Sequence, residues 1–183
     1  MKKFFISAIL KELLEHAIKR LSFLILLLAA HFVQAKEVTH HFNDWTFYAY
    51  GSEYDRHCLI YSQSLRAKGE FDQERETPYL YLSKRGNREF SLGVAPGYPL
   101  DVAKGVEFTV NYRSYGLQIT LPDYAWTFSS TQDVRLVDEM IKADRFVTVR
   151  SHGIDGNVAL DYYSVSGFTR ALKMLDKCNL NSQ

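Results

Sequence analysis

The sequence predicts a mainly β domain, an antiparallel β-sandwich or barrel-like fold with two helices, the second at the C-terminus. Three observations predict it. Short segments alternate apolar and polar residues at period two, as half-buried strands require. Turn residues interrupt them at close intervals, so many short strands follow one another. Aromatics are plentiful, with 12 Tyr and 12 Phe in 183 residues, a composition that favours strands.

Residues 45–50 and 58–63 read as the first two strands. Residues 64–77 are polar and charged and read as a solvated loop. Residues 79–84 and 89–94 flank Arg85-Gly86-Asn87 and read as a hairpin. Val106, Phe108 and Val110 alternate with Glu107, Thr109 and Asn111, and Leu117, Ile119 and Leu121 with Gln118 and Thr120. Residues 125–128 add a short strand. Val134, Val137, Met140 and Ile141 then share one helical face, behind Ser130 or Thr131 as cap. Two more strands, 146–150 and 158–164, are joined by a turn at 153–156. A last helix starts near Ser166 or Gly167, with Ser166 as its cap. On it Phe168, Ala171, Leu172, Leu175 and Cys178 form one apolar stripe.

Residues 21–33 form an almost unbroken apolar run behind Lys19-Arg20, ending in Val33-Gln34-Ala35. A basic region, an apolar core and modest residues at the −3 and −1 positions make a secretory signal. Cleavage after Ala35 leaves one domain, 36–183. The run is shorter than the about 20 apolar residues of a spanning helix, so no membrane span is expected after cleavage. An uncleaved signal anchoring a structural envelope protein is the alternative. Lys36, not Cys, follows the cut, which argues against a lipoprotein anchor. The first 20 residues make a long n-region, and a start near Ile18 would leave a compact one. The expected location is periplasmic or secreted.

Charge and motifs exclude several classes. Residues 1–35 hold five Lys/Arg and two Asp/Glu, so of 22 basic and 21 acidic residues the domain keeps 17 and 19. A near-neutral domain gives no reason to expect nucleic acid as a partner, because phosphate binding needs a basic face. No phosphate loop or dinucleotide fingerprint is present, and no cofactor is expected. In an oxidising compartment Cys58 and Cys178 are expected to pair, the helical stripe turning Cys178 toward the sheet; two unpaired buried thiols are the alternative. Their spacing excludes Cys-x-x-Cys redox chemistry and a multi-cysteine zinc site. His57, beside Arg56 and Cys58, bears on a thiol only if Cys58 is free.

His152, Asp161 and Ser164 or Ser166 supply the residue types of a hydrolase triad, but no nucleophile elbow accompanies them. Asp161 reads as an outward polar residue of its strand. His40-His41 read as part of a solvated tail rather than a metal site. Trp45, Tyr48, Tyr50 and Trp126 are the candidate binding residues, because aromatic faces bind glycans and proteins. Tyr48 and Tyr50, like Tyr79 and Tyr81, are two apart and so share a sheet face.

A set of residues in order along the domain carries a resemblance. It runs through Asp44-Trp45, Tyr48, Tyr50, Cys58, Ser62 and Gly69; Pro78-Tyr79-Leu80, Arg85, Gly97-Tyr98 and Val106; Ala125-Trp126, Leu136-Val137 and Met140. It ends in Ser151, Gly153 and the stretch Asp161-Tyr162-Tyr163-Ser164-Val165-Ser166-Gly167-Phe168-Thr169, with Ala171, Leu175 and Cys178. The sequence resembles the invasion-associated locus B family, envelope proteins of alphaproteobacteria. It departs in carrying Ala49 where some members have a further Cys, and in its acidic 64–77 loop. The resemblance implies a periplasmic or surface location, a link to host-cell invasion and virulence, and no catalytic mechanism. The expectation is a non-enzymatic protein without bound metal, whose partner is an envelope or host protein or a glycan; the hydrolase is the runner-up.

Overall fold

The computed structural model describes residues 37–52, 56–69, 75–85 and 90–179, all within the compact unit Lys36–Gln183. The expected signal 1–35, its cleavage site and the hairpin residues Gly86-Asn87 lie outside the described residues. The strands are β1 (Val38–Phe42), β2 (Trp45–Gly51), β3 (Arg56–Gln63), β4 (Arg66–Lys68), β5 (Tyr79–Arg85), β6 (Ser91–Ala95), β7 (Val106–Val110), β8 (Arg113–Leu121) and β9 (Tyr124–Trp126). Helix α1 (Ser130–Lys142), β10 (Phe146–His152), β11 (Val158–Ser164), helix α2 (Phe168–Asp176) and a 3-10 turn, Lys177–Asn179, complete the order. The fold is mainly β, with every strand pairing antiparallel and the second helix near the C-terminus.

Hydrogen-bonded neighbours run β1-β2-β3-β5-β6-β9-β8-β7-β10-β11-β4. The order closes on itself, because only Ser64 and Leu65 separate β3, third in it, from β4, the last. The Ser64 amide donates to the Pro78 carbonyl (3.1 Å) and the Leu65 amide to the Tyr162 carbonyl (2.8 Å). One run of chain thus pairs with β5 along β3 and with β11 along β4, closing a barrel-like ring. β8 turns the opposite corner. Residues 113–117 pair with β7 and 118–121 with β9, across a register shift between Ile119 and Leu121. The β1–β2 hairpin extends from β3.

Period-two alternation sorts the side chains. Trp45, Phe47 and Ala49 of β2, Cys58 and Ile60 of β3, Leu80 and Leu82 of β5, and Leu92 and Val94 of β6 face the core. Phe108, Val147 and Val149 meet them from the other half. Burying each larger side chain contributes about 1.5–3 kcal/mol before chain entropy is subtracted. The turn of the β7–β8 hairpin is Asn111-Tyr112, both with positive φ (49° and 63°), the conformation that matches the twist of a two-residue hairpin.

Several expectations need correction. A strand, β1, precedes the two expected first strands, so His40 and His41 sit in a paired strand and not in a tail. Neighbouring strand residues point to opposite faces, which keeps the two rings from sharing one ligand; His41 Nδ1 lies 3.0 Å from Thr46 Oγ1. The solvated loop contains β4, whose pairing with β11 its charged sequence hides. Ser129, one residue earlier than expected, caps α1 by accepting from the Gln132 amide. The inner face of α1 carries Asp133, Leu136, Val137 and Met140, leaving Val134 and Ile141 exposed at 51% and 44%. Asp133 turns inward because it accepts from the Leu92 amide (2.7 Å) and Thr127 Oγ1 (2.5 Å), giving a buried strand end its acceptor.

The start of α2 also differs. Gly167, not Ser166, is its N-cap, at φ 93°, with no side-chain cap. A Cβ there would run into the Phe42 carbonyl, so only glycine allows the β1–β2 hairpin this close. Ser166 instead ties the hairpin down: its Oγ accepts from Asn43 Nδ2 (2.9 Å) and its carbonyl from the Asp44 amide (3.3 Å). Trp45 completes the junction, its ring 4.9 Å from that of Phe168 and its Nε1 donating to the Ser164 carbonyl (2.8 Å).

Cys58, inward on β3, forms a disulfide with Cys178 of the 3-10 turn, with 6.4 Å between the Cα atoms across 120 residues. The bond ties the end of α2 to the middle of the sheet. Cys58→Ser is expected to lower stability to urea by up to about 4–5 kcal/mol on the chain-entropy model. Amide exchange should show the residues of α2 losing protection first; unchanged protection there would contradict this pinning role.

Candidate functional site

The outward residues of β2, β3, β5 and β9 form an aromatic face. Strand register places Tyr48 opposite Leu59, Tyr50 opposite His57, Tyr61 opposite Tyr81, and Tyr81 opposite Gly93, which in turn faces Trp126. Directly opposed residues share a face, so these rings line one side of the sheet. Tyr50 stacks on His57 at 4.9 Å and on Tyr48 at 5.6 Å. Tyr61 meets Tyr79 edge-on at 5.7 Å, and Tyr81 meets Trp126 edge-on at 4.8 Å. A Cβ on Gly93 would come within 2.6 Å of the Tyr81 ring and 2.7 Å of the Trp126 ring. The missing side chain is therefore what lets the two rings lie over the strand. The Tyr81 hydroxyl is buried without a hydrogen-bond partner among the described residues, and burial pushes its pKa well up.

Three of the four candidate binding residues, Tyr48, Tyr50 and Trp126, lie on this face. Trp45 does not: at 1% exposure it belongs to the core, for the parity of β2 sends it to the side opposite Tyr48. Helix α2 packs on that inner side, through Phe168 against Trp45 and through the Cys58–Cys178 bond. The helix and the disulfide thus hold β2 and β3 from behind the aromatic face.

The face runs into a cavity of about 680 Å³. Tyr79 and Tyr124 belong to both; the far wall comes from Tyr98 and the 153–157 turn. One wall carries a buried ion pair. Arg75 donates to both carboxylate oxygens of Asp161 (2.8 and 2.5 Å), while its Nε donates to the Pro96 carbonyl (2.7 Å). Its guanidinium lies 5.1 Å from the centre of the Tyr98 ring, and the Tyr98 hydroxyl is 2.6 Å from Ser151 Oγ. The side chains of Arg75 and Asp161 are 8% and 0% exposed. Burial raises the Asp161 pKa, and Arg75 opposes that rise by hydrogen bond and charge. Asp161 therefore points inward, contrary to expectation. An unpaired inward carboxylate would be very costly, and Arg75 is what makes the position tolerable.

The hydrolase residues are not brought together. His152 pairs with Val158 at one end of β11, and Ser164 pairs with Phe146 at the other. Six residue steps along β11 separate them, about 20 Å at the rise of a strand. Asp161 is held by Arg75, and Ser166 by Asn43. Among the described residues no group of three or more His, Cys, Asp or Glu is placed to hold a metal ion. Sequence reasoning missed Arg75, Tyr98 and Tyr124 as parts of one cavity; the only signal was a Tyr beside two turns, at Tyr98 and Tyr124, which is too common to single out.

No family model matches the chain, and no curated protein matches it. Among solved structures it is similar to the crystal structure of invasion associated protein B from Bartonella henselae. The TM-score is 0.55 at 16% identity, over 76% of this chain and 96% of that one. The likeness extends to the fold.

Removing one partner of the buried pair should cost about 3–5 kcal/mol, because the other charge stays buried alone. Arg75→Met is expected to lower the urea midpoint sharply, and Arg75→Met with Asp161→Leu to recover most of the loss. A double variant no more stable than the single one would contradict that account.

Proposed function

We propose that the protein is exported through its N-terminal signal and works as a non-enzymatic binding protein of the cell envelope or its exterior. The observation that carries the reading is the aromatic face, Tyr48 to Trp126, joined to the cavity at Tyr79 and Tyr124. Rings fixed on a paired sheet offer contact area at low entropic cost, since each has only two side-chain torsions to restrain. Export is supported by the apolar run 21–33 behind Lys19-Arg20, and by the disulfide, which persists in an oxidising compartment. The fold shared with invasion associated protein B supports an envelope role, and the resemblance adds a link to host-cell invasion. The partner is an envelope or host protein or a glycan.

Two measurements test this. The mass of the protein from its native envelope is expected to match residues 36–183, with both thiols alkylated only after reduction; a retained signal would overturn export by cleavage. A photo-crosslinking residue at Tyr50 or Tyr124 is expected to trap a second molecule in living cells. The same residue at Thr109 or Ser114, outward on β7 and β8, should trap none. Equal trapping at all four positions, or none anywhere, would overturn the binding reading.

A further inference from the structure

We propose that the cavity and its aromatic approach receive a basic segment of a partner protein, taking the ammonium or guanidinium groups of its Lys and Arg side chains. The proposal rests on the binding reading above and narrows it to one chemistry. Tyr79, Tyr98 and Tyr124 line the cavity, and aromatic rings attract cations over their faces. The cavity already holds one such arrangement, Arg75 against the Tyr98 ring with both its ends satisfied by Asp161 and Pro96. That pair is neutral as a unit. The remaining charged lining residues are Glu76, Asp123 and Asp155, all exposed, and none of them is in an ion pair with any described residue.

The sign of the site is therefore negative, which disfavours phosphate, sulfated or acidic partners. The spacing matters as much as the sign. The three carboxylates come from three different segments and do not converge on a metal-binding arrangement. Separated carboxylates suit several cationic groups strung along a chain, not one ion. The apolar ring faces from Tyr79 and Tyr124 toward Tyr81 and Trp126 give the stems of such side chains a surface to lie on.

The probe is an end-blocked hexapeptide of alternating Arg and Gly, titrated into the oxidised protein by calorimetry, beside a neutral chitin trisaccharide. Saturable peptide binding is expected, weakening as salt rises, because exposed charge pairs are screened. Asp123→Asn with Asp155→Asn is expected to weaken it about fivefold or more at low salt, whereas Asp138→Asn with Asp144→Asn, on and just after α1, should leave it unchanged. Tyr124→Leu should also weaken it, with the unfolding midpoint kept. Equal peptide affinity in the Asp123/Asp155 variant would overturn the proposal. Binding of the trisaccharide and not the peptide would overturn it too, while leaving the binding reading standing. Crosslinks at Tyr50 and Tyr124 without peptide affinity would separate the two in the same way.

Discussion

The structure depends on one run of chain, from Arg56 to Lys68, that carries both β3, near one end of the strand order, and β4, at the other. Along β3 it pairs with β2 and β5, and after Ser64 and Leu65 it pairs with β11. Without that crossing the sheet would be an open ribbon with exposed edges at β1 and β11. With it, the ring closes and two apolar faces become one core. Closure also fixes the inside and the outside of every strand, since a slip of one residue would turn its apolar set to solvent. The burial of Asp161 follows from this. Its neighbours Ala159 and Tyr163 are buried on the same parity, so the carboxylate is carried inward and must find a cation there.

Parity was legible in the sequence, and most of the fold with it. The alternation in 106–110, the hairpin at 79–94 and the stripe on α2 each depend on spacing between near neighbours, which a chain displays directly. The separation of Tyr48 and Tyr50 from the core was readable in the same way. Applied to Trp45, three residues before Tyr48, the same rule already places it on the other side. Its aromatic chemistry alone suggests a binding residue, and parity overrides that reading.

The remainder was hidden because it depends on partners far apart in sequence. Arg75 lies 86 residues from Asp161, in a segment whose charges look solvated. Asp133 looks like an ordinary first-turn acid until the Leu92 amide, 41 residues away, arrives at its carboxylate. The role of Gly167 is set by the Phe42 carbonyl, a contact between the two ends of the domain. In each case local preference predicts an exposed or capping role, and a distant donor or a close backbone approach overrides it. β4 escaped for a related reason. A three-residue strand with two basic side chains carries no period, and its pairing with β11 alone makes it a strand.

If the face binds a partner as proposed, the same division of labour bears on how that partner is held. Rings on an isolated hairpin would have to be ordered on binding, at about 0.5–1.5 kcal/mol for each mobile side chain. Here much of that ordering is already complete. Tyr81 and Trp126 are set against each other over Gly93, and Tyr50 is stacked on His57. The strands beneath are fixed from the inner side by Trp45 against Phe168 and by the disulfide. A face stiffened from behind keeps its contact area available in front. Restraints on β2 and β3 lie in the core, so changing them alters how firmly the rings are presented without removing any atom that a partner touches. Under the proposed binding role, stability and affinity would be coupled through the rigidity of the sheet, with the inner and outer residues of one strand acting on the same event from opposite sides.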